Sequence, residues 1–196
     1  MSRPSVEALR RKQILVSTCK VVAKRGVAAL RISDVAKEAG FSTGTIHYYF
    51  DDKETLLRAA FSYNVRHSIE RRKDLLVSNT DTLEKLITYV DSYLPEERET
   101  LRAWRVWAEF WAMSIRDAEL QGVIDIFDID WRASTSTIIR QGQAQGRIRE
   151  GDPLLYTNML IAMIDGLAIQ VLAKSKEMDL KTMRDTLHAF INQLFI

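Results

Sequence analysis

From Arg31 to Phe50 the chain reads Arg-Ile-Ser-Asp-Val-Ala-Lys-Glu-Ala-Gly-Phe-Ser-Thr-Gly-Thr-Ile-His-Tyr-Tyr-Phe. The pattern predicts two short helices, the first capped by Ser33 and the second by Ser42, meeting at Ala39-Gly40-Phe41-Ser42. Gly40 permits the dihedrals of a tight turn, and Ala36 and Ala39 are small enough for the helices to cross closely. Ile32, Val35, Ile46 and Phe50 supply the apolar contacts. Ser42, Thr43, Thr45, His47, Tyr48 and Tyr49 are left as polar or amphipathic groups on the second helix, able to reach base edges and phosphates in a major groove. Spacing alone also allows an ordinary helical hairpin inside a core.

Outward from this segment, apolar residues recur at three- and four-residue spacing nearly throughout, and only eight glycines and three prolines interrupt them. The fold class is all-α, with about nine helices. A first helix is predicted from about Ser5 to Arg25, stopped by Gly26 in a left-handed cap. Asp51-Asp52 opens a longer one to about Ser78. Five more follow: about Thr80 to Tyr93, Glu96 to Arg116, Leu120 to Gln145, Pro153 to Lys174 and Leu180 to Leu194. Pro95 and Pro153 suit first turns, Gly142 and Gly146 end the seventh helix, and Asp179 can cap the ninth. A helix-turn-helix domain over residues 1–52 and a second, larger helical domain over 53–196 are expected.

Net charge divides along the chain. Residues 1–78 hold 15 Lys/Arg against 8 Asp/Glu, net +7, whereas 79–196 hold 13 against 18, net −5. A basic head on an acidic body points to a polyanion met by the head alone, although chance variation between solvated faces gives the same sums. The second short helix has no arginine or lysine from Ser42 to Tyr49, so bidentate guanine readout is unavailable there. Hydroxyls, imidazole, thymine methyls and DNA shape remain. Arg10, Arg11, Lys12, Lys24, Arg25, Arg31, Lys37 and Lys53 are placed for phosphates.

Ile14, Gly26, Ile32-Ser33-Asp34-Val35-Ala36, Ala39-Gly40-Phe41-Ser42-Thr43-Gly44-Thr45-Ile46, Tyr48-Tyr49-Phe50, Lys53-Glu54 and Leu56-Leu57 agree in order and spacing with one pattern. On these residues, about a quarter of the chain, the sequence resembles the N-terminal domain of the TetR (tetracycline-repressor) family. The resemblance implies that Thr43, Thr45, His47, Tyr48 and Tyr49 face DNA and that Lys53 meets a phosphate. Arg31, Ser33, Ser42 and Gly44 complete the candidate DNA-binding set. His47 stands where the family more often has tyrosine, which bears on one operator position.

Trp104, Trp107 and Trp111 fall at i, i+3, i+7 with Phe110 beside them, a stripe that is either core or one wall of a ligand cavity. Phe127, Trp131 and Met163 are candidates for other walls, and Phe127 or Trp131 for its closure. The helix from Pro153 is apolar on nearly every side. With the stripe Leu180, Met183, Leu187, Phe190, Ile191 and Leu194 of the last helix it suits a dimer interface, for which Met159, Gly166, Leu187, Phe190 and Leu194 are the candidates, burial within one chain being the alternative. The stretches Arg102-Ala103-Trp104, Phe110-Trp111-Ala112 and Ile164-Asp165-Gly166-Leu167 are similar to the C-terminal domain of choline-responsive betaine-type repressors. That similarity implies a cationic ligand on indole faces, helped by Glu109, Asp130 or Asp165. An uncharged hydrophobic effector is the other possibility.

Together these readings describe a homodimeric repressor of double-stranded operator DNA, released by a small-molecule effector. A helical carrier without DNA binding is the alternative, and an enzyme a further one. His47, His67 and His188 lie far apart, and no phosphate-binding glycine loop or Gly-x-Ser-x-Gly motif occurs, so no catalytic residue, cofactor or metal is expected. The lone Cys19 reads as buried filler in a reducing compartment. The first five residues lack a signal-peptide pattern and the apolar stretches are interrupted, so a cytoplasmic chain with no membrane helix is expected.

Overall fold

Most helices of this chain begin at a side chain that accepts a hydrogen bond from its own first turn. In the computed structural model, which describes residues 5–77 and 81–196, Ser5 Oγ accepts from Ala8 N at 3.1 Å, Asp52 from Thr55 N at 2.7 Å and Asp179 from Thr182 N at 2.7 Å. Asp81, Asp117 and Asp152 act likewise. Each satisfies an N–H that the helix cannot, and a carboxylate also suits the positive end of the dipole.

The helices are α1 Val6–Arg25, α2 Ile32–Ala39, α3 Thr43–Tyr49, α4 Lys53–Glu70, α5 Lys73–Val77, α6 Thr82–Asp91, α7 Arg98–Ser114, α8 Ala118–Ala144, α9 Pro153–Leu172 and α10 Leu180–Leu194. The all-α class expected from the sequence holds, and ten helical segments appear among the described residues where nine were expected. The extra one comes from a break at Arg71-Arg72. Arg72 N bonds Ile69 O at 3.0 Å, while its side-chain Nη1 takes Ser68 O at 2.7 Å, the carbonyl its own backbone would bond in a continued helix. The helix therefore ends there. The expectations placed on residues 1–4 and 78–80 lie outside the described residues.

Some local readings need correction. Arg31 stands at the α2 N-cap without a side-chain bond, and Ser33 lies inside the helix. Gly26 has φ 76° but ψ 165°, so the α1 cap is not left-handed helical. Pro95 lies in the turn before α7, whereas Pro153 does occupy the first turn of α9. Gly142 does not end its helix but admits Ile148. A Cβ there would lie 2.5 Å from Ile148 Cδ1.

The chain forms two compact units, residues up to His67 with Arg105–Ile124, and Ser68–Trp104 with Asp125–Ile196. The boundary expected at residue 52 thus falls inside the first. In the first unit Ile14, Val35, Ile46, Leu56 and Phe61 are fully buried, and Cys19 is buried filler. Phe61 stacks on Phe110 at 4.7 Å and lies 5.5 Å from Trp107. Glu109 accepts a hydrogen bond from Val27 N at 2.8 Å, tying α7 to the end of α1.

In the second unit Leu86, Ile139, Met183, Leu187 and Ile191 are buried. Leu194 packs with Ile139 and Ile148, and an antiparallel bridge between Ile148 and Phe195 holds the chain end. The α9 helix is long and apolar enough, by length and composition, to cross a membrane, which the sequence reading did not anticipate; 28% of its apolar window is buried here. Leu154, Leu155, Met159, Ala162 and Gly166 are exposed along it, beside the polar Asn158 and Gln170.

Candidate nucleic-acid interface and effector site

The α2–α3 pair is built around a left-handed glycine. Gly40 has φ 71° and ψ 29°, and Phe41 N bonds Ala36 O at 2.9 Å, closing the turn. A β-carbon in this backbone region costs about 1 kcal/mol or more, so glycine is the residue of choice. Gln13 of α1 braces the same turn by donating to Ala39 O at 2.8 Å. Val35, Ala36, Ala39, Ile46 and Phe50 are buried as the apolar pattern predicts.

What remains outside is the candidate DNA surface. Ser42 caps α3, its Oγ accepting from Thr45 N at 3.1 Å and lying 2.9 Å from Thr45 Oγ1. Thr45 is therefore half-buried and partly engaged. Thr43, Gly44 and His47 are exposed, and Tyr48 is 77% exposed, its ring meeting half-buried Tyr49 edge to face at 5.1 Å. Arg31 and Ser33 are exposed, and Lys53 is half-buried in the first turn of α4. The bond from Thr55 N, which contributes most, holds the Asp52 carboxyl below its usual range. The basic residues divide: Arg25 pairs with Asp34 at 3.0 Å and Arg11 lies over the Phe50 ring, leaving Arg10, Lys12, Lys24, Arg31, Lys37 and Lys53 outside any ion pair among the described residues.

The expected tryptophan stripe divides between the units. Trp107 and Phe110 pack on Phe61 in the first, and Trp111 is 44% exposed. Trp104 belongs to the second, where its indole N–H donates to Tyr93 O at 2.6 Å. Around it lies an aromatic cluster: Tyr93 stacks on Trp131 at 4.4 Å, Phe127 lies 5.4 Å from Trp131, and the Tyr89 and Tyr93 hydroxyls are 3.1 Å apart. The Arg72 guanidinium sits 3.6 Å from the Tyr93 ring centroid. Burial pushes the Tyr93 phenol well above its usual value, with Arg72 pulling the other way.

Tyr89, Tyr93 and Arg72 were not singled out in the sequence. The i, i+4 spacing of the tyrosines was a signal, but only the fold brings Arg72 to them. Met163 is half-buried on α9. A cavity of about 240 Å³ opens between α5 and α8, lined by Leu76, Ala133, Ser134, Thr137, Ile138 and Gln141. None of the ligand candidates read from the sequence lines it.

Three acidic residues were expected to help a cation. Glu109 is engaged with Val27. Asp130 has its pKa raised by burial, opposed by Lys73. Asp165 is pushed up to about 7, first by burial and then by Asp128, against the pull of Arg132, and its Oδ1 has no hydrogen-bond partner among the described residues.

The dimer candidates also divide. Leu187 is fully buried and Leu194 nearly so within the second unit, which corrects their assignment to an interface, since a side chain already packed in its own protomer has no surface to offer. Phe190 is half-buried, packed beside Leu194. Met159 is 45% exposed and Gly166 is exposed.

Comparison with known proteins accords with this arrangement. Residues 14–60 match the family described as bacterial regulatory proteins, tetR family, and residues 82–196 match the BetI-type transcriptional repressor, C-terminal family. The regulator BetI of Stenotrophomonas maltophilia is 33% identical over 124 residues, 61% of this chain and 62% of that protein, so the match spans somewhat less than two thirds of this relative. The regulator PksA of Bacillus subtilis is 28% identical over 169 residues, 83% of this chain and 78% of its own length. A protein of Saccharomonospora viridis, described as a transcriptional regulator and solved in complex with choline, superposes with a TM-score of 0.89 at 32% identity, covering 94% of this chain and 96% of that one. With a helix-turn-helix head that matches one model and a helical body, more than half of the chain, that matches the other, the protein belongs to the TetR family of bacterial regulators, with a BetI-type C-terminal domain.

Proposed function

We propose that this chain is a homodimeric repressor that grips operator DNA through α3 and is released by a small organic cation. The observation that carries the DNA reading is the α2–α3 geometry: a buried apolar inner face, a Gly40 turn, and a polar outer face of Ser42, Thr43, His47 and Tyr48 on a basic head. Thr43, Thr45, His47, Tyr48 and Tyr49 contact bases and backbone, Gly44 lets the helix approach closely, and Arg31, Ser33, Ser42 and Lys53 serve phosphates.

Dimerisation rests on α9. Leu155, Met159, Ala162 and Gly166 line one exposed face of a helix whose opposite side buries Thr157, Leu160, Ile161, Ile164 and Ala168. A second copy laid on that stripe, with Phe190 at its margin, covers it and presents two recognition helices to major grooves about 34 Å apart. Such a protein works in the cytoplasm, where its operator is.

The cationic effector class rests on the Tyr89, Tyr93, Trp104, Phe127 and Trp131 cluster, whose ring faces attract a cation that sheds its water. Met163, on α9 of the same unit, stays as a proposed outer contact. A neutral ligand is the second reading, favoured by the cavity that Ser134 and Thr137 line. An electrophoretic shift with the DNA flanking the gene tests the whole reading. Specific retardation that choline reverses is expected, and binding of choline without any shift supports a carrier instead.

A further inference from the structure

Arg72 is 4% exposed, and among the described residues no carboxylate pairs with it. A buried charge without a counter-charge is costly, so the partners it does have matter. Its Nε donates to Ser92 Oγ at 2.9 Å, Nη2 to Ser92 O at 2.6 Å, and Nη1 to Ser68 O at 2.7 Å and Ser68 Oγ at 2.6 Å. The remaining stabilisation comes from a ring: the guanidinium lies 3.6 Å from the Tyr93 centroid, and Trp131 stacks on the same tyrosine at 4.4 Å. Two groups that close cannot share one face, so Tyr93 is sandwiched between an indole and a cation. The protein thus supplies its own cation to the aromatic cluster.

We propose that Arg72 is a tethered occupant of the effector's cation site, and that a quaternary ammonium binds by displacing its guanidinium from the Tyr93 face. This rests on reading the chain as a cation-responsive repressor. The chemistry favours exchange. A quaternary ammonium has no N–H to satisfy and is weakly hydrated, so ring faces alone hold it, whereas the displaced guanidinium can be met by water. Arg72 sits at the break between α4 and α5, where a side chain swinging outward needs no helix to unwind.

The exchange also carries a signal. When Arg72 leaves, the Ser68 carbonyl in the last turn of α4 loses its donor, and so does Ser92 after α6. The α4 helix begins four residues after the recognition helix ends, so freeing its far end loosens the covalent route to the head. A ligand shifts such an equilibrium only by its differential affinity, and here the difference is the Arg72 latch itself.

The test uses the full chain with choline chloride and tetramethylammonium chloride as probes. In calorimetric titration, Arg72→Gln binds choline roughly tenfold more tightly than the unmodified chain, because the tethered competitor has gone. Tyr93→Leu loses the binding. A second readout needs no variant: in arginine-labelled protein the Arg72 Nε–H resonance, shifted by the Tyr93 ring, moves to the position of exposed arginines at saturating choline. Unchanged or weaker choline binding by folded Arg72→Gln overturns the proposal, and so does an Nε–H signal that stays put. Failure of every chain to bind either ammonium overturns it as well. Operator binding measured in parallel separates the failures, since retained operator binding leaves the repressor reading standing while its loss removes that reading too.

Discussion

Replacing Asp165 with asparagine should convert a pH-dependent weakness of the fold into a pH-independent contact. Asp165 lies on α9 with an unpartnered Oδ1, facing α8, where Asp128 repels it and Arg132 attracts it; Arg132 is itself 3.0 Å from Asp128 and bonded to Asn158 at 3.1 Å. Its folded pKa is raised from 3.8 to about 7. Between these values the folded chain holds a proton that the unfolded chain has released, so stability falls as pH rises from about 4 to about 7 and is flat above. Three units at about 1.4 kcal/mol each bound the effect near 4 kcal/mol, and partial exposure of the side chain reduces it to roughly 2 kcal/mol. Asparagine has nearly the same shape and no charge to desolvate. The assay is urea unfolding of both chains from pH 4.5 to 8, at one protein concentration because a dimer's stability depends on it. The two chains should agree near pH 4.5, and Asp165→Asn should be more stable by roughly 2 kcal/mol at pH 8. Parallel curves over the whole range would refute the reasoning, because every other titration cancels in the difference.

Other outcomes follow from particular contacts. Gly142→Ala places a Cβ 2.5 Å from Ile148 Cδ1 and should destabilise the chain by about 1–3 kcal/mol in the same unfolding assay. Lys53→Ala should weaken binding to all DNA and lower the slope of log affinity against log salt by about one, whereas His47→Ala should relax one base position; equal losses on operator and random DNA for both would contradict this division. Met159→Glu sets a charge on the exposed α9 stripe and should yield folded monomers by sedimentation with operator affinity lost, while Leu187→Glu, in the core, should unfold the chain instead.

The helical class, the α2–α3 turn and the capping of α3 and α10 were legible from residue order because each rests on neighbours within about four positions. A glycine at a turn, a serine or aspartate before a helix, and an apolar residue every three or four places act locally, and the structure keeps Ser42, Gly40 and Asp179 in those roles. The exposed face of α3 was legible for the same reason: once Ile46 and Phe50 are assigned inward, Thr43, His47 and Tyr48 have nowhere to point but outward. The body was less legible, because a helical stripe says which residues share a face without saying what covers it. Trp104, Trp107 and Trp111 recur at helical spacing, yet one donates to Tyr93 O, one packs on Phe61 and one is left exposed. The apolar stripe of α10 likewise offered Leu187 and Leu194 to a partner, and the fold buries them at home. The meeting of Arg72 with Tyr93, 21 positions along the chain, required tertiary structure altogether. Helix periodicity records local direction, and long-range partnership is decided only when the helices pack and each buried polar group must find a donor, an acceptor or a ring.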